Sequence, residues 1–349
     1  MKFLWKKRKV LGIILALVFL SLSFKDIRLE DIKTLSTRLN LYYIIPSFLL
    51  GLLMMTLRAM RWRTIIESAK KVPILRAILL YATGQALNIA MPALTGQVAR
   101  LILFSRKIGL SKTLIFSTLL VETLFDGMLL TSFIILSSLW FVFPEEYRSF
   151  SQFIGLGALT LFALLYIQIA FRKQIDDLAY KHLRHRWRGV YIGIRKFSRS
   201  FSKGMAALKS TKHFMRSFGF SVVIWVCHAL MIFALFEAFG FDLPITAAIV
   251  VLVINTLALL VPITPGNAGT FEFVVIATLS GFSVAKTDAA LFAISLHILD
   301  FLPIMLLGAM FLRAERISIS SLQEEGDKES LLDMVEVDDS TPAHQGTMP

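Results

Sequence analysis

With one cysteine among 349 residues, Cys227 has no second thiol to join, so a disulfide framework and a cysteine-based metal site are both excluded. Cys227 lies in an apolar run and reads as a packing residue. Charge is also scarce, at 17% of residues, and it avoids long stretches of the chain. Val10–Ser23, Leu41–Leu57, Leu114–Phe143, Phe150–Phe171, Phe218–Phe239, Ile245–Val261 and Ala289–Leu312 are almost free of Lys and Arg. There is no P-loop, no hydrolase nucleophile elbow and no zinc motif. No stretch is long enough for a soluble catalytic domain, and the largest polar piece, residues 172–217, lacks strand–helix alternation. No cofactor, no metal and no nucleic-acid partner is expected.

What remains is hydrophobic: 56% of residues, against the roughly 45–50% of soluble domains. Several of the apolar blocks reach the roughly 20 residues that a helix needs to cross about 30 Å of hydrocarbon. The fold class is therefore an all-α polytopic membrane protein. Its expected content is about seven or eight transmembrane helices plus two re-entrant or broken helical elements. At the N-terminus, Lys6, Lys7, Arg8 and Lys9 precede a short apolar stretch ending Ser21-Leu22-Ser23. A retained signal anchor is expected there, with cleavage as the alternative.

Positive charge sets the orientation. Residues 58–76 carry six Lys/Arg and one acid, and residues 172–217 carry thirteen and two, whereas the turns at Pro144–Ser149 and around Asp242 carry almost none. The basic segments, the N-terminus and the C-terminus are assigned to the cytoplasmic side of the cell membrane. Residues 77–112 then begin and end inside. Their two short apolar pieces, Ala77–Met91 and Leu94–Phe104, are broken at Pro92 and Gly96. That pattern predicts a re-entrant helical hairpin.

A second interruption, Val261 to Gly269, places two prolines and two glycines within eight residues, which no helix continues. The two breaks look alike, each with an apolar approach, Pro, Thr within three residues and a nearby Gly. Broken segments in corresponding halves point to a transporter's midplane site.

Residues 1–317 form the membrane domain. Within it, 172–217 repeats Leu183, Trp187, Val190, Ile194, Phe197, Phe201, Met205 and Leu208 at helical steps, with Lys and Arg on the other face. A basic amphipathic helix of this kind lies on an anionic lipid surface; the plainer alternative is a solvated positive-inside loop. Residues 318–349, with Glu324, Glu325, Asp327, Glu329, Asp333, Glu336, Asp338 and Asp339, read as a disordered acidic cytoplasmic tail.

Ionisable groups inside a bilayer cost roughly 2.5–3.5 kcal/mol each on insertion scales, so each is a functional candidate. Glu122 and Asp126 are four apart on one helix face, placed either to hold a proton or a cationic headgroup, or to pair with Arg100 or another inward basic residue and lock the bundle. Glu272 follows the second break, facing a pore or capping the next helix. His297 and Asp300, three apart, form either a proton-relay pair or structural hydrogen bonds between neighbouring helices. Arg58, Arg61 and Trp62 end the second span as headgroup-facing residues or as plain helix anchors. His228 and Glu237 read as packing or interface residues.

Four motifs fall in one order along the chain: R-x-x-R-W (Arg58, Arg61, Trp62), N-x-x-x-P-x-x-x-G-x-x-x-R (Asn88, Pro92, Gly96, Arg100), E-x-x-x-D (Glu122, Asp126) and T-P-G-x-x-G-x-x-E (Thr264, Pro265, Gly266, Gly269, Glu272). From about residue 10 to 316 the chain resembles the lysylphosphatidylglycerol synthase transmembrane domain family of flippase-like proteins. The resemblance implies an integral membrane protein that moves a phospholipid or lipid-linked headgroup between leaflets. It also implies that these motif residues form the translocation site. In two-domain members a soluble domain aminoacylates phosphatidylglycerol; that domain is not found in this sequence, so no aminoacyl transfer is expected. Leu94 stands where the family often has a basic residue, Gly96-Gln97 where it often has Gly-Glu, and Asn267 where a third glycine is common. Two other functions fit the same residues: a membrane-embedded lipid-modifying enzyme using the paired carboxylates, and an accessory subunit docking a lipid or glycolipid synthase. Membrane phospholipids or a lipid-linked substrate are the expected partners, and the pattern is also compatible with a homo-oligomer.

Overall fold

A computed structural model of the chain describes residues 14–25, 39–67, 69–90, 95–140, 160, 167, 171–183, 187, 189–192, 195, 211–259 and 264–314. Every regular element among them is helical. They are α1 (Ile14–Phe24), α2 (Leu41–Ile66), α3 (Ile74–Ala90), α4 (Thr95–Ile108), α5 (Lys112–Trp140), α6 (Arg172–Leu183), α7 (Thr211–Phe239), α8 (Ile245–Ala258), a 3-10 turn at Pro265–Asn267, α9 (Thr270–Ser280) and α10 (Lys286–Ala314). Four are long and apolar enough to cross a membrane: α2, α7, α10 and the Leu114–Ile135 portion of α5. Four more, α1, α3, α8 and α9, are apolar but shorter. The chain is thus an all-α, multi-pass membrane protein. The expected span Phe150–Phe171 falls almost wholly outside the described residues, as do Pro92, the turn at Pro144, much of 172–217 and the acidic tail.

The outer surface fits lipid. Leu41, Ile45, Leu49 and Leu53 on α2, Val222, Val226 and Leu230 on α7, and Ile298, Leu302, Met305 and Met310 on α10 are exposed at helical spacing. Contiguous apolar stripes of this size belong against hydrocarbon rather than water. Inside, one core cluster joins α2, α5, α7, α8, α9 and α10, with Met231, Leu235, Phe236, Phe292 and Ala293 at its centre. A second joins α2, α3, α4 and α5 around Trp62, Tyr81, Leu101 and Phe104.

Helices α2 and α7 run antiparallel along their full lengths. The Asn40 N–H donates to the Ala238 carbonyl at 2.9 Å, and the Ser47 hydroxyl donates to the Met231 carbonyl at 2.9 Å. At the opposite end Glu67 lies 3.8 Å from His213 and 3.7 Å from Arg216. Asn40 also caps α2, its side-chain oxygen accepting the Tyr42 N–H.

Helices α3 and α4 form a hairpin. At 17 and 14 residues they reach about 25 and 21 Å at 1.5 Å per residue, against the roughly 30 Å of a bilayer's hydrocarbon. Their outer ends are tied together: Lys70 Nζ donates to the Ile108 carbonyl at 2.6 Å, and Arg76 donates to the Lys107 carbonyl at 3.2 Å. Cationic groups here meet the unsatisfied carbonyls at the C-terminus of α4. At the closed end a Cβ on Gly96 would lie 2.6 Å from Asn88 Cα, so only glycine permits this crossing. The hairpin expected from the sequence is present as a shape.

The second break abuts the first. A Cβ on Gly266 would lie 3.7 Å from both the side chain and the carbonyl of Ile89, next to Asn88 at the closed end of the hairpin. Gly266 and Asn267 both take left-handed backbone, at φ +60° and +57°. Asparagine is the residue other than glycine best suited to that region, which accounts for its place where the motif has a further glycine. Gly269, at φ +81°, brings the turn against α1, where a Cβ would lie 2.5 Å from the Ala16 carbonyl.

Candidate functional site

A cavity of about 210 Å³ opens between α2, α3, α4, α5, α7 and α8. Its charged walls are Arg58 and Arg61 from α2, Arg100 from α4, and Glu122 and Asp126 from α5. Gln85, Gln97, Thr123, His228 and Thr256 add further polar groups, and Tyr81 and Trp225 add aromatic ones.

Two ion pairs shape it, Arg100 with Glu122 buried on both sides and buried Arg61 with the partly exposed Asp126. Arg61 grips Asp126 with two parallel bonds, Nη1 to Oδ1 at 2.6 Å and Nη2 to Oδ2 at 2.9 Å, and its Nη1 also donates to the Ser221 hydroxyl at 3.0 Å. Trp225 Nε1 donates to the same Asp126 Oδ1 at 3.3 Å. Arg100 donates to Glu122 Oε2 at 2.8 Å. Its guanidinium lies over the Tyr81 ring at 4.7 Å and the Phe104 ring at 5.2 Å, which supports the cation on aromatic faces. Arg61, Arg100 and Glu122 are buried, while the Asp126 side chain is 41% exposed, so the cavity opens beside Asp126. Helical spacing accounts for the arrangement: Glu122 and Asp126 lie one turn apart, as do Arg58 and Arg61, so α2 and α5 face each other across it.

A second polar group holds the later break. The Glu272 carboxylate accepts the Gly269 N–H at 2.7 Å, closing the start of α9, and its other oxygen lies 2.6 Å from His297 Nδ1. His297 Nε2 lies 3.1 Å from the Gly266 carbonyl. A carbonyl only accepts, so the contact with Gly266 uses the tautomer that carries a proton on Nε2. The imidazole stacks on Phe271 at 4.3 Å and meets Phe301 edge-on at 4.3 Å. Thr264 and Thr270 bridge the turn through their hydroxyls at 3.1 Å.

The motif residues therefore separate into two groups. Arg58, Arg61, Arg100, Glu122 and Asp126 share the cavity, whereas Thr264, Gly266, Gly269 and Glu272 build the clamp, together with His297. Pro265 lies in the 3-10 turn of that clamp. Asn88 and Gly96 form the closed end of the hairpin that this turn touches, and Pro92 lies outside the described residues. Two expectations need correction. Trp62 is fully buried against Phe104 and Tyr81, at 4.3 and 6.2 Å, and so does not face headgroups. His297 and Asp300 take different partners, because α10 turns them toward different neighbours: His297 binds Glu272, and Asp300 lies 3.4 Å from His228 Nε2.

The family model for the lysylphosphatidylglycerol synthase TM region matches residues 9–308. The chain belongs to that family. A search of curated proteins gives no match. In this lysylphosphatidylglycerol synthase TM-region protein, both polar groups lie within the matched region. The sequence motifs missed Tyr81, Gln85, Ser221, Trp225, His228 and Thr256. Tyr81 and Gln85 were open to discovery, since with Asn88 they make a polar stripe at helical spacing along an apolar helix. Trp225 and Ser221 carried no such signal. Their partners Asp126 and Arg61 lie 99 and 160 residues away.

Proposed function

We propose that this protein moves a phospholipid or lipid-linked headgroup between leaflets, with the cavity between α2, α4, α5 and α7 as the headgroup seat. One observation carries the proposal: a 210 Å³ polar cavity, walled by a buried Arg100–Glu122 pair and by buried Arg61 paired with the partly exposed Asp126, lies among helices whose outer faces are apolar. Buried charge amid hydrocarbon is retained where a polar ligand or path needs it. The volume suits a headgroup and excludes acyl chains, which stay in the bilayer. The α3–α4 hairpin enters the membrane from the cytoplasmic side and returns, and the second break meets its closed end. The basic end marks the cytoplasm: Arg63, Lys70, Arg76, Lys107 and Arg216 gather there, and both termini lie on that side of the cell membrane. Leu178, Trp187 and Val190 are exposed on the basic segment, which supports its lying on anionic lipid.

The test is leaflet transfer of a fluorescent phospholipid by purified protein in liposomes. Wild-type protein is expected to accelerate transfer over protein-free liposomes. Gln97→Trp puts a large side chain into the cavity wall while keeping all four ion-paired residues, and it should cut the rate at least tenfold in a protein that remains folded. Wild-type liposomes that transfer no faster than empty ones would refute the proposal.

A further inference from the structure

Of the five charged side chains around the cavity, four are used up in pairs and one is not. Arg61 takes both oxygens of Asp126, and Arg100 takes Glu122. Arg58 is half-buried in the cavity wall, and no hydrogen bond or ion pair among the described residues satisfies its guanidinium. It is attracted to Asp126, but that carboxylate is already held by Arg61. The unmet bonding capacity has the same sign. Arg61 Nε and Arg100 Nε are buried donors without partners, against a single buried acceptor left over in the cavity wall, Glu122 Oε1. Asp300 stands behind the wall beside His228 rather than in it.

A guanidinium without an internal partner, in the wall of a cavity among apolar helices, calls for an anion rich in acceptor oxygens. A phosphate ester provides both. Arginine's planar fork meets two phosphate oxygens at once. A headgroup with an added ammonium would bring that cation to a wall whose carboxylates are both committed to arginine. The neutral groups Gln85, Gln97, Thr123 and Thr256 can serve hydroxyls or ester oxygens of the same headgroup.

We infer that the cavity selects a lipid headgroup of net charge −1, a phosphate ester without an added amine, and that Arg58 is the residue that binds its phosphate. This rests on the reading of the cavity as the headgroup seat and adds the class of lipid. Two placements make it testable without unfolding the protein. Arg58 has no internal partner to orphan, so Arg58→Gln removes the anion site alone. Gln97 lies in the same wall, so Gln97→Glu places a fresh carboxylate in a cavity whose own are occupied.

The experiment compares fluorescent phosphatidylglycerol, phosphatidylcholine and lysylphosphatidylglycerol in the leaflet-transfer assay. Wild-type protein should move phosphatidylglycerol at least tenfold faster than lysylphosphatidylglycerol, with phosphatidylcholine between them. Arg58→Gln should abolish the preference, and Gln97→Glu should reduce it or reverse it toward the cationic lipid. Equal or faster movement of lysylphosphatidylglycerol by wild-type protein, or a preference that survives Arg58→Gln, overturns the inference and leaves lipid transport standing. If no lipid changes leaflet, transport itself falls, and thermal unfolding in mixed micelles decides the binding claim. Phosphatidylglycerol that raises the midpoint of the wild type but not of Arg58→Gln supports it; equal shifts in both refute it.

Discussion

At the scale of single residues, the charges in this protein are informative because each has so few places to go. Arg100 and Glu122 are buried together, so removing one partner strands the other. Arg100→Ala is expected to lower stability by about 3–5 kcal/mol, while the apolar double replacement Arg100→Leu with Glu122→Leu recovers most of that loss. Thermal unfolding of the three proteins in detergent checks it, and a double variant as unstable as the single would show that the pair does more than neutralise itself. Asn267 makes a separate case. Its φ of +57° accepts glycine readily and a β-branched residue badly. Asn267→Gly should therefore leave the unfolding midpoint within a degree or two, whereas Asn267→Val should cost about 1–2 kcal/mol.

At the scale of elements, the glycines and the Glu272 clamp decide whether two short helices can act as one unit. A side chain larger than hydrogen at Gly96 collides with the backbone of Asn88, and one at Gly84 collides with Arg100 and Phe104. Gly96→Val should thus open the α3–α4 hairpin and lower stability by several kcal/mol, because the obstacle is backbone and cannot step aside. Glu272→Leu loses the Gly269 cap and the His297 bond together, at about 3 kcal/mol for two charge-assisted bonds, and should free the Pro265–Asn267 turn to faster hydrogen exchange. Much of this was legible in the sequence. Proline and glycine placed both breaks, and the hairpin follows from charge at both of its ends. The apolar blocks located the long helices, closely for α5 at Lys112–Trp140 against the expected Leu114–Phe143, whereas α2 runs on through the basic residues to Ile66 and α7 begins before its apolar block, at Thr211. What the sequence could not show was pairing. Asp126 could have bound Arg58, Arg61 or Arg100, and only the antiparallel contact of α2 with α7 brings Ser221 and Trp225 up to fix the choice. His297 and Asp300 look like partners at a spacing of three, but helix geometry alone does not decide which neighbours each will meet.

At the scale of the whole molecule, the contacts define two ends, and the single cysteine makes their sides measurable. Lys70, Arg76, Lys107 and Arg216 lie at one end, while Asn40, Ala238 and the Gly281–Ala285 turn lie at the other, where Lys286 Nζ donates to the Lys25 carbonyl. Cys227 is buried in the core and makes no polar contact among the described residues, so Cys227→Ala should give a folded protein without cysteine. Single cysteines can then be introduced and treated with a membrane-impermeant thiol reagent from each side of sealed vesicles. Cysteines at Lys71 and Lys107 should react from the cytoplasmic side, and those at Asp242 and Ser283 from the opposite one. The hairpin gives the sharper case. An ordinary span would put Ile74 and Ala90 on opposite sides. A re-entrant hairpin instead leaves the two outer ends, near Lys71 and Lys107, on one side, with Ala90 reached from that side if from either. Reaction of a cysteine at Ala90 from the far side would mean that α3 crosses the membrane, and the cavity between α2, α4 and α5 would then need a different route for its headgroup.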